Sequence, residues 1–165
     1  MDELDAIQAS LVSFTKRLDE AVADRFNELR KCSFFDPIPS EWLTPIAEQA
    51  EIKTFNQGAA LTNEGEDMSS LYVILFGTAT AYFKNKPVGT IRSGECIGEG
   101  VLFATETLER SATVIADDQV VVAEIKKSGL DNIQGEAKTY IDKALLLALF
   151  KKLQGANRKI EELLR

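Results

Sequence analysis

Glycines divide the middle of this chain into short segments rich in β-branched and aromatic residues. They stand 5 to 12 residues apart, at Gly58, Gly65, Gly77, Gly89 and Gly94. Between them, "LYVILFG" followed by "TATAYFK" predicts two strands that meet near Gly77. "RSATVIA" and "QVVVAEI" read as another pair, joined by the turn residues Asp117 and Asp118. Many short strands with regularly spaced turns predict a small antiparallel barrel or jelly roll.

A helical period replaces this pattern at the N-terminus. Apolar residues recur there every three or four positions, at Leu4, Ile7, Leu11, Phe14, Leu18, Val22, Phe26 and Leu29. This spacing predicts one amphipathic helix, and a strict heptad holds only as far as Leu18. Two interpretations fit the stripe equally well: a helix laid against its own domain, or a helix that pairs in a dimer. "DPIP" at 36–39 then breaks the chain before a short helix around Trp42–Ala50.

The C-terminal part is helical again from about Glu136. Its apolar stripe consists of Ile141, Leu145, Leu149, Leu153, Ile160 and Leu164. The chain therefore divides into an N-terminal amphipathic helix (1–32), a β-roll (33–134) and a C-terminal helix that serves as lid, dimer element or both (135–165). The predicted fold class is α+β, an antiparallel β-roll (jelly roll) with helices on either side.

Composition excludes several classes of function. Lys+Arg 19 against Asp+Glu 26 gives a net charge of −7, and no basic run exceeds two residues, so we expect no nucleic-acid binding. The acidic N-terminus lacks the apolar core of a signal peptide, and "ALLLALF" (144–150) is too short to span a bilayer. We therefore expect a cytoplasmic protein without a membrane span.

The absence of histidine narrows the chemistry further. With His 0 there is no histidine base, no imidazole metal site and no cupin-type metal centre. Cys32 and Cys96 are far apart and cannot form a metal site alone, so we expect two buried, reduced thiols and no metal. The roll is thus predicted to bind rather than to catalyse.

One stretch combines an acid and a base in a mostly apolar setting, "IGEGVLFATETLERSATV" at 97–114. Gly98-Glu99-Gly100 follows the end of a strand, and Val101–Phe103 predicts one helical turn before the loop 104–109. The free N–H groups of such a turn favour an anion, and Arg110 can grip phosphate oxygens with its planar fork. Glu99 would be repelled by phosphate but accepts a hydrogen bond from a ribose 2′-OH. The pattern therefore predicts a site for a ribose and a phosphate.

Simpler interpretations of the same residues stay open. Glu99 and Arg110 form, in that view, only a salt bridge across a loop. Ser111 is then an ordinary strand serine, and Asn157 a solvated helix residue.

The stretch resembles the phosphate-binding cassette of the cyclic nucleotide-binding domain family, which includes catabolite activator proteins and protein kinase A regulatory subunits. Phe55–Tyr82 is similar to the family in its pattern of Gly58, Gly65-Glu66 and Gly77. "ERSATV" and "VAEI" resemble the bacterial activator branch in particular. "KKLQGANRKI" resembles the part of its long helix that dimerises and reaches the base. The resemblance covers about residues 33–160.

The resemblance implies a role for each residue of the site. It places the Gly98 N–H near the ribose, Glu99 on the 2′-OH, and Arg110 on the cyclic phosphate. Ser111 would donate to phosphate or base, and Asn157 would present a polar group to adenine. The implied ligand-binding residues are Gly98, Glu99, Gly100, Val101, Arg110, Ser111 and Asn157.

Three residues depart from the family pattern. Gly100 replaces a large aliphatic residue and loosens the turn. Val101, with its N–H intact, stands where a small residue lies close to the phosphate. Ala156 replaces a hydroxyl that contacts adenine.

The function implied is a cyclic-nucleotide receptor module, for cAMP first and cGMP second. It would signal through its flanking helices to an effector protein or a second copy, and a homodimer through helices is predicted. No helix-turn-helix follows the roll, so promoter binding is not expected. The alternative is a degenerate roll that binds no nucleotide and acts as a dimerising scaffold; an enzyme such as a nucleotide hydrolase is disfavoured by the lack of histidine.

Overall fold

The computed structural model describes residues 2–102 and 105–165. Within these ranges the α-helices are α1 (Glu3–Arg30), α2 (Ser40–Gln49), α3 (Lys127–Asn132) and α4 (Gly135–Leu163). Two 3-10 helices span Ser33–Phe35 and Glu99–Leu102. The strands are β1 (Ala50–Phe55), β2 (Ala60–Thr62), β3 (Ser70–Phe76), β4 (Thr78–Phe83), β5 (Lys86–Arg92), β6 (Cys96–Ile97), β7 (Thr113–Ala116) and β8 (Val120–Lys126). Helices thus precede and follow a region of short strands.

The strands form two four-stranded antiparallel sheets. One has the order β1-β8-β3-β6 and the other β2-β7-β4-β5. Neighbouring strands in each sheet are mostly distant in sequence, as expected of a jelly roll. The predicted fold class, an antiparallel β-roll with flanking helices, is confirmed.

Strands that follow each other along the chain mostly lie in different sheets. β3 pairs with β8 and β6, whereas β4, the next strand, pairs with β5 and β7. Gly77 makes the crossing with φ +88°, and a Cβ there would collide with the carbonyl oxygen of Gln119. β7 and β8 are likewise in separate sheets on either side of Asp117 and Asp118. All four predicted strands exist, but reading β7 and β8 as a pair was wrong, since each takes distant partners.

Two clusters of buried apolar side chains hold the roll and its helices together. The smaller one draws on both sheets and includes Leu61, Ile74, Val114 and Val122. The larger one joins the β1-β8-β3-β6 sheet to the helices, and includes Leu29, Phe35, Leu43, Leu71, Val101, Ile125, Ile141 and Leu145. Residues from both flanking helices are therefore part of the core of the roll.

Both cysteines behave as buried apolar residues. Cys32 and Cys96 are free thiols, and each belongs to the larger cluster. Burial raises the pKa of both thiols, that of Cys96 to about 12. Neither is a reactive thiolate at neutral pH.

The predicted N-terminal helix is present as α1, but only its last third packs against the roll. Leu29 is fully buried, and Val22 and Phe26 lie partly buried against the larger cluster. Arg25 anchors this part by donating from Nε to the Ala47 carbonyl oxygen at 2.9 Å. The stripe from Leu4 to Leu18 is exposed. Of the two interpretations of this stripe, packing on its own domain therefore holds only for the C-terminal part.

Burial changes along α4 in the opposite direction from α1, because its first half is buried and its second half is exposed. Its first half packs into the larger cluster through Ala137, Ile141, Ala144 and Leu145. Its second half, including Leu153 and Ile160, is exposed, and the helix runs through Gly155 without a break. No helix in residues 2–102 or 105–165 is long and apolar enough to cross a bilayer.

Candidate functional site

A tight glycine turn joins β6 to the 3-10 helix Glu99–Leu102. Gly98 has φ +84°, where residues with a Cβ are strained. A Cβ at this position would also meet Arg110 Nη1, and would lie 2.6 Å from the Ser70 carbonyl oxygen. Position 98 therefore requires glycine for two reasons: the positive φ angle and the lack of space for a Cβ. The predicted helical turn begins at Glu99, two residues earlier than expected; its predicted last residue, Phe103, and Ala104 lie outside the described residues.

Arg110 reaches into this turn from the segment before β7. Arg110 is only 6% exposed, and its Nη2 donates to the Ser70 carbonyl oxygen at 2.8 Å. The guanidinium carbon lies 5.3 Å from the centroid of the Tyr72 ring, in a cation–π contact. Within residues 2–102 and 105–165, Nη1 is buried and has no hydrogen-bond partner. The sequence predicts Arg110 as a site residue but does not reveal Ser70 or Tyr72 as its supports.

Backbone hydrogen bonds hold the arginine in place. The Arg110 N–H donates to the Glu66 carbonyl oxygen at 2.7 Å, and the Gly65 N–H donates to the Arg110 carbonyl oxygen at 2.9 Å. These bonds fix the backbone of Arg110 relative to the segment before β3.

The guanidinium of Arg110 is a charged group in a buried position. Desolvation lowers the pKa of Arg110, while Tyr72 and nearby carboxylates act in the opposite direction. Arginine nevertheless stays charged in proteins. A buried cation with one N–H unpaired is costly, and an anion that accepts from Nη1 relieves that cost. Chemically, the arrangement is suited to receive an anion.

Glu99 has a partner that sequence reasoning missed. Its side chain is 16% exposed, and Oε1 accepts a hydrogen bond from Lys152 Nζ of α4 at 2.7 Å. The simpler interpretation, a Glu99–Arg110 salt bridge, was wrong for the carboxylate, because Glu99 pairs with Lys152. No local pattern could indicate Lys152, since 53 positions separate the two residues.

A groove of about 710 Å³ extends from this ion pair between β5 and α4. The strand contributes Val88–Arg92, and the helix contributes Ala148, Lys152 and Ala156 among others. Lys159 closes the far end by donating from Nζ to the Val88 carbonyl oxygen at 3.2 Å. The groove is therefore connected to the glycine turn through Lys152, which lines it and pairs with Glu99, and α4 forms one of its walls.

The sequence of residues 52–136, which includes the glycine turn and Arg110, matches the model of the cyclic nucleotide-binding domain. The match spans more than half of the chain. The chain belongs to the cyclic nucleotide-binding domain family. Domains of this family are regulatory modules rather than catalysts.

Relatives of this cyclic nucleotide-binding domain include protein kinases. A cGMP-dependent protein kinase of Eimeria tenella is 29% identical over 138 residues, which are 81% of this chain and 14% of the kinase. A cAMP-dependent protein kinase regulatory subunit of Candida albicans is 32% identical over 93 residues, 54% of this chain and 19% of the subunit. The chain thus spans less than a fifth of the length of these curated relatives.

Solved structures share the fold. The regulatory domain of Toxoplasma gondii PKA with cAMP superposes with a TM-score of 0.62 at 21% identity, covering 76% of this chain and 49% of that one. A putative cyclic nucleotide-binding protein from Geobacter metallireducens gives 0.65 at 21% identity, covering 77% and 96%. The similar proteins include both eukaryotic kinases and a bacterial protein, so the expected kinship with the bacterial activator branch stays a prediction.

Two of the residues that depart from the family pattern, Gly100 and Val101, lie in the 3-10 helix Glu99–Leu102. Val101 is buried in the larger cluster, and its N–H donates to the Gly98 carbonyl oxygen at 3.1 Å. At Gly100, a Cβ would come within 3.3 Å of Leu108 Cδ1 and 3.6 Å of Met68 Sδ. The side chain of Val101 is thus part of the packing under the turn, and Gly100 lies tightly beneath the segment that leads to Arg110.

The remaining predicted contacts lie further from the turn. Ser111 is exposed at a bend just after Arg110. Ala156 lines the groove, whereas its neighbour Asn157 is exposed and is not among the residues that line it. The structure therefore brings Gly98, Glu99 and Arg110 together and leaves Asn157 outside the groove of this chain.

Proposed function

We propose that this chain is a receptor module for a cyclic nucleotide, with cAMP as the first candidate and cGMP as the second. The observation that carries the proposal is the buried Arg110 guanidinium beside the Gly98 turn, whose Nη1 atom has no hydrogen-bond partner in the part of the chain that the structure describes. A cyclic phosphate supplies the acceptor that this group needs. The relatives include a cGMP-dependent protein kinase and a cAMP-dependent protein kinase regulatory subunit, so both nucleotides are candidates.

The ribose and base fit the remaining geometry. Glu99 uses Oε1 for Lys152, which leaves Oε2 to accept from a ribose 2′-OH. The base then extends along the groove between β5 and α4. In this arrangement Gly98, Glu99, Gly100 and Arg110 form the ribose–phosphate part, with Val101 packed beneath the turn. Ser111 lies at its edge, and Asn157 lies outside the groove of this chain.

Transmission would run through the Glu99–Lys152 ion pair. This contact connects the turn that binds the ribose to α4, the helix whose second half is exposed. A ligand that alters the turn changes the position favoured by the helix. The signal would then reach an effector protein or a second copy through the helices, in the cytoplasm, where the free thiols stay reduced.

A second candidate function is a dimerising scaffold that binds no nucleotide. It is favoured by one observation: Glu99 already has a cationic partner, so the carboxylate is satisfied without a ribose. The exposed halves of α1 and α4 would then be the functional surfaces.

Thermal unfolding with added nucleotides separates the two candidates. At a concentration 100 times its dissociation constant, a ligand stabilises the native state by about 2.7 kcal/mol, or roughly 5 to 10 °C for a domain of this size. We expect this shift with cAMP, and a different shift with cGMP if the base is read. 5′-AMP serves as the control, because it has the same base and ribose without the cyclic phosphate. No shift with either cyclic nucleotide would support the scaffold.

Replacing Lys152 with glutamine is expected to weaken cyclic-nucleotide binding about threefold to fivefold. Lys152 offsets the charge of Glu99, which otherwise repels the phosphate held at Arg110. The effect is modest because the lysine side chain is 40% exposed and therefore screened. Isothermal titration calorimetry measures the change.

Lys151→Gln is the matched control for this substitution. Lys151 is the next residue, lines the same groove, and forms no salt bridge within the described part of the chain. An equal loss in both variants would show that only the general charge of the groove matters. Tighter binding by Lys152→Gln would show that the lysine competes with the ribose for Glu99.

A further inference from the structure

The N-terminal two-thirds of α1 carries an apolar stripe that this chain does not cover. Five large side chains on one face are about half exposed or more: Leu4 59%, Ile7 51%, Leu11 59%, Phe14 55% and Leu18 50%. Contact with the larger core cluster begins only at Val22. Single exposed apolar residues are ordinary, but a row of five over four helical turns is typical of an interaction surface.

We propose that this surface binds α1 of a second copy of the chain, with the two helices antiparallel. Leu4, Leu11 and Leu18 occupy position a of a heptad, and Ile7 and Phe14 occupy position d. Two such stripes form a short coiled-coil seam in which Leu11 of one copy lies opposite Ile7 of the other, and Leu4 opposite Phe14. Leu18 lies at each end of the seam, next to the N-terminus of the second copy. The pairing goes beyond nucleotide binding, because it needs neither Arg110 nor the groove.

Charge decides the orientation. Positions g, next to the seam, hold Glu3, Ser10 and Arg17. In the antiparallel register g faces g, so Glu3 lies opposite Arg17 of the second copy, and the two-fold axis repeats the pair. In a parallel pair g faces e, which sets Glu3 opposite Gln8 and Ser10 opposite Thr15, with no opposite charges in contact.

The position of the β-rolls favours the same orientation. Each chain has a net charge of −7, and its roll is attached at the C-terminal end of α1. Parallel helices would bring two acidic rolls side by side, where they repel. Antiparallel helices place the rolls at opposite ends of the seam, about 20 Å or more apart for a stripe of 15 residues.

The surface is tested first by the mass of this 165-residue chain in solution, measured by sedimentation equilibrium. At protein concentrations from about 1 to about 100 µM, we expect the parent chain to be a dimer and the Leu11→Glu variant to be a monomer. Leu153→Glu is the matched control, since Leu153 is 60% exposed on α4; it should leave the dimer intact. A parent chain that stays monomeric would overturn the proposal, and so would a dimer that Leu153→Glu dissociates and Leu11→Glu does not.

The orientation is tested by charge exchange. Glu3→Arg alone and Arg17→Glu alone each set like charges opposite one another twice, so each should raise the dissociation constant about fivefold or more. The double variant Glu3→Arg/Arg17→Glu restores opposite charges and should return to the parent value. Losses that simply add in the double variant would overturn the antiparallel register.

Cross-linking gives an independent readout. Ser10 lies at position g beside the two-fold axis, so Ser10→Cys should form a disulfide-linked dimer under mild oxidation. Ala9→Cys, one residue away at the outward position f, is the control and should not. The native thiols do not interfere, because Cys32 and Cys96 are buried. Equal cross-linking of both variants would contradict the register. Because neither variant touches the nucleotide site, a negative result leaves nucleotide binding untouched, and failure of nucleotide binding leaves this test unaffected.

Discussion

Arg110→Met is expected to weaken binding of the cyclic nucleotide by about 100-fold or more. The guanidinium is the group proposed to hold the phosphate; among the described residues Nη1 has no hydrogen-bond partner, and Nη2 donates to the Ser70 carbonyl oxygen. A hydrogen bond to a charged group contributes roughly 1.5 to 3 kcal/mol, so losing the two that the N–H groups of Nη1 can donate to a phosphate corresponds to at least about 3 kcal/mol. Methionine keeps an unbranched apolar stem over Tyr72 but cannot pair with an anion.

The same substitution is expected to leave the ligand-free protein as stable as the parent, or more so. Among the described residues the buried cation has no partner for Nη1, so its removal also removes a desolvation cost, which offsets the lost bond to the Ser70 carbonyl oxygen. This opposite pair of effects, binding lost and stability kept, distinguishes a ligand residue from a structural one. Calorimetric titration gives the first quantity, and thermal unfolding without nucleotide gives the second.

Two further variants sharpen the test of Arg110. Arg110→Lys retains the charge but not the planar fork, so its affinity should lie between those of the parent and Arg110→Met. Arg158→Met is the matched control, because Arg158 is an exposed arginine of α4 that is not among the residues lining the groove. Undiminished affinity in Arg110→Met would contradict the assignment of the phosphate site. A large loss of stability without nucleotide would instead show that Arg110 is mainly structural.

Gly98→Ala is expected to destabilise the protein by about 3 kcal/mol and to abolish nucleotide binding. Alanine at φ +84° is strained by about 1 to 2 kcal/mol. In addition, the new Cβ would meet Arg110 Nη1 and the Ser70 carbonyl oxygen, and overpacking of this kind adds roughly 1 to 3 kcal/mol. The guanidinium must then move out of the position that receives the phosphate.

Gly58→Ala separates the two costs. Gly58 has nearly the same conformation, with φ +83°, but a Cβ there meets nothing within 4 Å. Its substitution should cost only the conformational part and should leave nucleotide affinity unchanged. Thermal unfolding and titration of both variants give the comparison. Equal stability losses, or full affinity in Gly98→Ala, would show that the close approach of Gly98 to Arg110 has no functional consequence.

The elements of this fold could be predicted because their signals are local. Apolar residues at intervals of three and four indicate a helix, as in α1 and α4. Runs of β-branched and aromatic residues between turn residues indicate a strand. The turn at Gly98 and the approximate place of Arg110 also follow from a short stretch of sequence. These features depend on residues only a few positions apart, so they can be predicted from short stretches of the sequence.

Strand pairing could not be predicted in this way. β7 and β8 are neighbours in sequence but lie in different sheets, because the chain crosses between the sheets at Asp117 and Asp118. Hydrogen bonding between strands depends on which edges meet in space, and alternation along one strand does not specify its neighbour.

Local patterns along the sequence were sufficient to predict the helices, the strands, the glycine turn and the acid and base of the candidate site. The folded structure was needed to show that Arg110 is buried, with no hydrogen-bond partner for Nη1 among the described residues, and that Glu99 pairs with Lys152 rather than with Arg110. It alone also divided the stripe of α1 into a buried and an exposed part. The physical reason is common to all three: burial and pairing are properties of surfaces brought together from distant parts of the chain.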